Sequence, residues 1–453
     1  MRIEDAVTVQ LFAAASCNLD CTYCGIPKHS PAISRKHREL IEEIKQVDPI
    51  INRIKQLYNP EKVQNFSHWG SEPSLTISYF GPFYERAMKE FPNFNYLSFS
   101  SNFLSRTKDI TDFIKAFPQD RRITFSIQMS LDGPAWITDA NRRGGATETI
   151  IKNMVFFVEE LNKGPLVHSV RCHFKSTVSK EQIALLVQDN GIEEYYDFFS
   201  GVCDKLVKSN TMNNVHISMN PEPTMICPDS YTQQDGKNFT KLFLDTELLF
   251  KRKNYPFFQN CDYYGHFKRF FTKHREFFTK HHQHKCAAAH ASYGISDYIG
   301  PCHDTFYANE EEINEVYEKD SDRLNSNNQI ENVRSGRHRQ ATKAMTRKID
   351  ELTPKVMQKY LYNMKAWHGF SRFKLSSGVA IIKTLAKAGQ ISPCYIQDDM
   401  ALMLCIYCTA RHGCLVQDAY YTGSKDILPM GYYKLFGNGL LEMFVKRMVN
   451  EHD

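Results

Sequence analysis

The chain has 453 residues, 42% of them hydrophobic, with 56 Lys plus Arg against 51 Asp plus Glu. That length can bury two or more cores, and a formal net charge of +5 is too small to select a polyanionic partner by itself. A negative mean hydropathy and the lack of any apolar run of about eighteen residues argue against a membrane-spanning helix.

A β-rich run at 7–12 leads into three closely spaced cysteines, Cys17, Cys21 and Cys24. No secretory signal is read at the start: Arg2 is followed by Glu4 and Asp5, and the apolar stretch 7–15 is broken by Gln10. The thiols are therefore expected to be reduced and the protein cytoplasmic. Apolar residues then recur at helical spacing over 38–57, 80–91 and 147–161, while extended runs fall at 65–69, 96–101, 123–131, 167–174 and 215–219. Strands alternating with helices imply βαβ units and a parallel sheet, whose ligands gather at the carboxyl ends of the strands.

The spacing C-x3-C-x2-C offers three thiolates to a four-iron cluster and leaves the fourth iron without a protein ligand. A structural zinc site needs four ligands, and only distant candidates such as His29 could complete this triplet. The segment Ser16-Cys17-Asn18-Leu19-Asp20-Cys21-Thr22-Tyr23-Cys24 closely resembles the cluster loop of radical S-adenosylmethionine (SAM) enzymes, including the aromatic residue before the last cysteine. The resemblance implies an oxygen-sensitive [4Fe-4S] cluster on Cys17, Cys21 and Cys24, whose open iron chelates SAM and whose electron cleaves it to a 5′-deoxyadenosyl radical.

Further matches follow in strand order. Gly70-Ser71-Glu72-Pro73 resembles the family's Gly-Gly-Glu-Pro turn, with Ser71 in place of one glycine; Ser100-Ser101-Asn102 sits where relatives place short polar residues facing SAM. Ser130-Leu131-Asp132-Gly133-Pro134, followed by Asp139 and Arg142, resembles a signature of the subgroup that carries extra clusters in a C-terminal domain. By resemblance, Gly70, Ser71, Glu72, Ser100, Ser101, Asn102, Ser130, Asp132 and Arg142 hold the cosubstrate. Arg142 would suit the SAM carboxylate, since a guanidinium can meet it with two parallel hydrogen bonds. The likeness covers about residues 5–225. It implies an α/β fold, a partial (β/α)6 TIM-type barrel, followed by an auxiliary-cluster α+β domain with a helical insertion.

In the C-terminal half, Cys405-x2-Cys408-x5-Cys414 is similar to the core of the SPASM domain, and Cys286-x15-Cys302 resembles the hairpin that precedes it. Cys394 lies nearby. Six cysteines are too few for two fully thiolate-bound four-iron clusters, so the expectation is one or two auxiliary clusters, in the SPASM or the shorter twitch form. Where relatives carry a further cysteine this chain has Asp418, a candidate oxygen ligand whose alternative is a solvated surface residue. The expected units are a barrel over 1–228, a helical linker over 229–285 and a cluster domain over 286–453, the last interrupted by a polar and helical insertion at about 305–393. Cys172, Cys203, Cys227 and Cys261 show no metal-like spacing and read as small buried hydrophobes.

In sulfatase-maturing relatives an acid follows the second hairpin cysteine; here His303 and Asp304 stand there, and either could move a proton. Relatives with this C-terminal domain mostly modify peptides or proteins, which makes a polypeptide the leading substrate by resemblance, with flavodoxin or ferredoxin as electron donor. Two basic stretches open an alternative. The repeat Phe270-Phe271-Thr272-Lys273-His274 and Phe277-Phe278-Thr279-Lys280-His281, with the acid-free cluster from Arg334 to Lys348, could grip phosphates. The alternative is radical modification of a nucleobase, such as an amino-acid-decorated thymidine in viral DNA, although charge runs also simply face water. A non-catalytic iron–sulfur carrier fits the cysteine count but leaves the SAM-holding motifs unexplained.

Overall fold

The computed structural model describes residues 7–22, 31–225 and 233–256, with three short strands at 292–294, 298–300 and 347–348. Six parallel strands form the frame: β1 (Thr8–Ala14), β2 (Asn65–Gly70), β3 (Tyr96–Ser101), β4 (Thr124–Ser130), β5 (Ser169–Val178) and β6 (Val215–Met225). Each pairs with the next in sequence, and β1 and β6 do not pair, so the sheet is open. Right-handed crossovers that always advance in one direction put every connecting helix on one face. This is the parallel α/β sheet that the alternation of strands and helices implies.

The register sorts the residues into rows across the sheet. Val9, Phe66, Leu97, Phe125, Val170 and Val215 are partners in one row and are all buried. One residue along, Gln10, Ser67, Ser98, Ser126, Arg171 and His216 form the next row, in which every side chain is polar. The first kind of row meets the helices. Phe66 packs edge-on against Phe83 and Tyr84 of α3 (Gly81–Glu90), Phe125 against Phe113 of α4 (Thr107–Ala116), and Phe174 against Phe199 of α8 (Gly191–Ser209). The second kind lies on the helix-free face, where the Ser67 and Ser98 hydroxyls meet at 2.7 Å. Parallel sheets usually bury both faces behind helices and read as continuous apolar runs. Here one face is apolar almost throughout, and the other is mostly polar, with Phe12, Trp69 and Tyr96 among its residues.

His68 is the exception in the apolar rows. Its Nε2 lies 2.5 Å from the Tyr84 hydroxyl, and complete burial pushes its pKa down to about 3, so the ring is neutral. It is a core histidine bonded to its neighbour, with no access to the strand ends.

Several elements differ from the sequence-based expectation. The stretch 38–57 is two helices, α1 (Pro31–Ile44) and α2 (Val47–Leu57). Pro49 lacks an N–H, and its ring would strike the carbonyl of residue 45 in a continuous helix, so the break falls just before it. α4 and α8 have no counterpart in that reading. α4 starts from Arg106 in a left-handed conformation, φ 61°, without a side-chain cap, so the usual start signal is missing. Within the span expected as a helical linker, α9 (Gln233–Arg252) packs its buried Phe250 on Tyr196 of α8. Cys172 and Cys203 are fully buried, as expected for small hydrophobes, and burial pushes the Cys203 thiol up to about 12.

The antiparallel pair β7 (Ser292–Gly294) and β8 (Tyr298–Gly300) lies inside the interval from Cys286 to Cys302, where the resemblance implies a hairpin. β7 joins the sheet in parallel beside β1, and β9 (Arg347–Lys348) pairs antiparallel with β8. The far edge of β1 is thus covered by chain from the C-terminal half. Among the described residues no helix is long and apolar enough to cross a membrane.

Gly70 ends β2 with φ +132°, and a Cβ there would lie 2.2 Å from the Ala14 carbonyl oxygen. Gly70→Ala is expected to cost about 2 to 4 kcal/mol from backbone strain and overpacking. Gly81→Ala, where nothing lies within 4 Å, should be neutral or stabilising by up to about 1 kcal/mol. Denaturant midpoints of the two variants check this, and equal losses would contradict it.

Candidate active site at the strand ends

The polar residues matched in the sequence converge at the carboxyl ends of β1 to β4. After β1 the chain turns into the cysteine loop, where Cys17 and Cys21 are both buried. The Leu19 N–H donates to Cys17 Sγ at 3.4 Å, and the Asn102 carboxamide lies 3.8 Å from the same sulfur. Two N–H donors turned toward one sulfur suit a thiolate that ligates metal. The Asn102 carboxamide also donates to Asn18 Oδ1 at 2.7 Å, and Asn18 donates to the Ser105 hydroxyl at 2.6 Å. Further along the loop, the Thr22 N–H donates to the Asn141 carbonyl at 2.8 Å. The loop is therefore tied to the ends of β3 and of α5 (Ala135–Asn141) on either side of its second cysteine.

Asn102 is itself held by Glu72. The Asn102 N–H donates to Glu72 Oε2 at 2.9 Å and the Ser74 N–H to Oε1 at 3.3 Å. Burial of the carboxylate raises its pKa; these amides and the Ser101 hydroxyl oppose that shift without cancelling it. Ser101 Oγ also accepts from the Phe103 N–H, and Asn102 Oδ1 from the Leu104 N–H, which folds the chain after β3 into a tight turn. Glu72 is thus a brace between two strand ends rather than a side chain aimed outward. Ser71 has a similar part: its N–H donates to the Ala14 carbonyl and its hydroxyl to the Ala15 carbonyl, pinning β2 to the root of the cysteine loop. Ser100 and Ser130 are half-buried and stand on the helix-free face.

The third group is built on β4. Arg142 Nε and Nη2 donate to Asp132 Oδ2 and Oδ1, both at 2.9 Å, and the pair is buried. The two-pronged edge of Arg142 that the sequence reading offers to a cosubstrate carboxylate is here occupied by Asp132. Asp132 Oδ1 also accepts from the Thr177 N–H of β5, and the Asp132 carbonyl accepts from the Ser176 hydroxyl. The Asn141 carboxamide donates to the Thr177 carbonyl and accepts from Gln182. Asn18, Ser105, Asn141, Thr177 and Gln182 were not legible as site residues, because each acts through contacts far away in sequence.

The structure thus brings Cys17, Cys21, Gly70, Ser71, Glu72, Ser100, Ser101, Asn102, Ser130, Asp132 and Arg142 to one end of the sheet. Cys24, Cys286, Cys302, Cys394, Cys405, Cys408, Cys414 and Asp418 lie outside the described residues, as do His303 and Asp304. Among the described residues no group of three metal-ligating side chains is complete.

Comparisons with family models and with curated proteins find no match. Among solved structures, the chain is similar to native anSMEcpe with bound AdoMet, at 15% identity and a TM-score of 0.44, over 66% of this chain and 74% of that one. It is also similar to native anSMEcpe with bound AdoMet and a Cp18Cys peptide, at 15% identity and a TM-score of 0.41, over 65% and 73%. A third is Streptococcus suis SuiB bound to S-adenosylmethionine, at 13% identity and a TM-score of 0.37, over 67% and 60%.

Two outcomes follow from the buried groups. Arg142→Ala strands the Asp132 charge and should cost about 3 to 5 kcal/mol, whereas removing both partners should cost less than the sum of the single losses; denaturant unfolding of the cycle measures this. The Glu72 pKa is raised, so the folded state holds that proton more tightly than the unfolded chain. Its contribution to stability is therefore present at low pH and is lost as pH rises upward from about 4.5. Glu72→Gln should flatten that part of the pH–stability profile, and an unchanged profile would contradict the assignment.

Proposed function

We propose that the protein is a radical SAM enzyme. The observation that carries this reading is the placing of Cys17 and Cys21, with N–H donors turned to the Cys17 sulfur, at the carboxyl ends of an open parallel sheet. The matched cosubstrate motifs stand beside them in strand order. The residues present fit a cluster: Cys17 and Cys21 are reduced and buried, on a loop tied down on both sides. Cys24 would complete the ligand set. Held by these cysteines, a four-iron cluster would supply the electron for reductive cleavage of SAM, and so the radical chemistry that removes a substrate hydrogen atom.

The chain's own residues bind, orient and exclude water. Glu72 and Asn102 hold the cysteine loop at a fixed height above β2 and β3. Ser71 ties that loop to its root, and the Asp132–Arg142 pair joins β4 to the α5 end that anchors Thr22. Gly70, Ser71, Glu72, Ser100, Ser101, Asn102, Ser130, Asp132 and Arg142 form the cosubstrate's surroundings, with Arg142 acting from within its pair. One or two auxiliary clusters on Cys286, Cys302, Cys394, Cys405, Cys408 and Cys414, with Asp418 as a possible oxygen ligand, would accept or return an electron or hold the substrate. His303 and Asp304 are candidates to move a proton. A flavodoxin or ferredoxin would deliver the electron, in the cytoplasm.

Resemblance makes a peptide or protein the leading substrate, and a peptide is bound in one of the similar solved structures. Modification of a nucleobase is the second reading, favoured by a specific observation: the only charged residues on the helix-free face of β1 to β5 are cationic, Arg171 and Lys175.

The test is release of 5′-deoxyadenosine from SAM by the anaerobically reconstituted, reduced protein. Wild type should release it, and Cys17→Ala and Cys21→Ala should reduce release by at least about a hundredfold. Equal release from the variants, or zinc in place of iron in the purified protein, would sink the reading.

A further inference from the structure

We propose that the β5–β6 wall of the helix-free face is a phosphate-binding subsite, and that it anchors a substrate of nucleotide type. This deepens the second substrate reading above and rests on the substrate lying on that face.

Arg171 and His216 are register partners on adjacent strands, and Lys175 lies four residues further along β5 on the same face. All three side chains are exposed, although Val170, Cys172 and Phe174 between them are buried against the helices. Arg171 and Lys175 form no ion pair among the described residues. Their row-mates carry no counter-charge: beside Arg171 stands Ser126, then Ser98, Ser67 and Gln10. Glu222 does hold the register position beside Lys175, past an irregularity in the pairing, so Arg171 and His216 carry most of the argument.

Exposed cations on a sheet face that none of the described helices covers need a reason. A solvated face can be polar without being cationic, and an apolar face would have buried more surface. An Arg fork beside an imidazole and a serine hydroxyl matches the oxygens of a phosphate better than a single carboxylate, which needs only the fork. Phosphate also has a position to work from. Arg171 lies four residues below Lys175, and Lys175 is level with Ser130 at the end of β4, so the subsite sits about 13 Å beneath the strand ends. A group held there leaves the rest of the ligand free to reach the cysteine loop.

The opposite wall supplies a platform for the ligand's other part. Trp69 of β2 and Tyr96 of β3 stand on the same face and are half-buried. Aromatic rings of this kind stack on the flat face of any base. Tyr96 lies two rows below Arg171, so a base that reaches toward the cysteine loop stacks on Trp69, one residue beyond the row of His68 and Cys172; β2 is three strands from β5, about 14 Å, which the Arg171 side chain and a nucleotide bridge together. An acidic peptide would use the cations but has no planar group of matching reach.

The experiment uses the full chain, anaerobically reconstituted, and measures binding by calorimetry. The probes are the four 2′-deoxynucleoside 5′-monophosphates, the matching nucleosides, inorganic phosphate, and a blocked Asp-Glu dipeptide. At least one monophosphate should bind ten times more tightly than its nucleoside, and Arg171→Ala should remove that factor of ten. Arg171→Lys should restore part of it, and His216→Ala should lose part. Because Arg171 is exposed, its variant should keep the wild-type melting temperature and the spectral change on adding SAM. Equal affinity for monophosphate and nucleoside, an unaffected Arg171→Ala, or a dipeptide that binds as tightly as the monophosphate would overturn the subsite. Loss of the SAM response in wild type with the monophosphate preference intact would instead overturn the radical SAM reading alone.

Discussion

A single buried carboxylate sets the geometry on which the site depends. Glu72 reaches from the end of β2 to the amide of Asn102 at the end of β3, and Asn102 then turns its carboxamide to Cys17 and Asn18. The links run from 2.7 to 3.8 Å and have little water access, and amides fixed in place before any ligand arrives offset part of the cost of burying the charge. An irregular loop such as the one that carries Cys17 and Cys21 gains most from such support, because its own backbone makes few regular hydrogen bonds. The Asp132–Arg142 pair does the same work on the other side, joining β4 to β5 and to the helix end that receives Thr22.

The sheet itself divides into two chemistries. Rows of Val, Leu, Phe and Ile supply the burial that holds α3, α4 and α8 in place, while the rows between them carry Ser, Gln, Arg and His. Because the side-chain period of a strand is two, a slip of one residue in any strand would exchange the faces. The register is therefore strongly specified by burial, and the polar face follows from it. On that face Gln10, Ser67 and Ser126 are buried while Arg171 and Lys175 of β5 are exposed, so availability to a ligand is greatest along β5. The surplus of cationic over acidic side chains on β5 gives that availability a sign.

The resemblance was carried by short turns at strand ends, and these were readable because each is local: cysteines three and four residues apart, and Gly70-Ser71-Glu72-Pro73 within four positions. What those residues do was less so. Read alone, Arg142 is a guanidinium ready for a carboxylate; in the fold, Asp132, ten residues earlier, already meets it. Read alone, Glu72 belongs to a cofactor turn; in the fold it braces a strand thirty residues away. Neither partner could be chosen from spacing, since helices and strand crossovers of variable length lie between.

The amino-acid order by itself determined the alternation of strands and helices, the place of the cysteine loop after the first strand and the polar turns after the next three. Those are consequences of periodicity and local backbone chemistry. Only the tertiary structure decided that Glu72, Asn102 and Cys17 form one chain of contacts and that Arg171 and His216 stand side by side. Each of these depends on how distant segments are brought into register, which burial of the whole apolar face decides and no short stretch of chain contains.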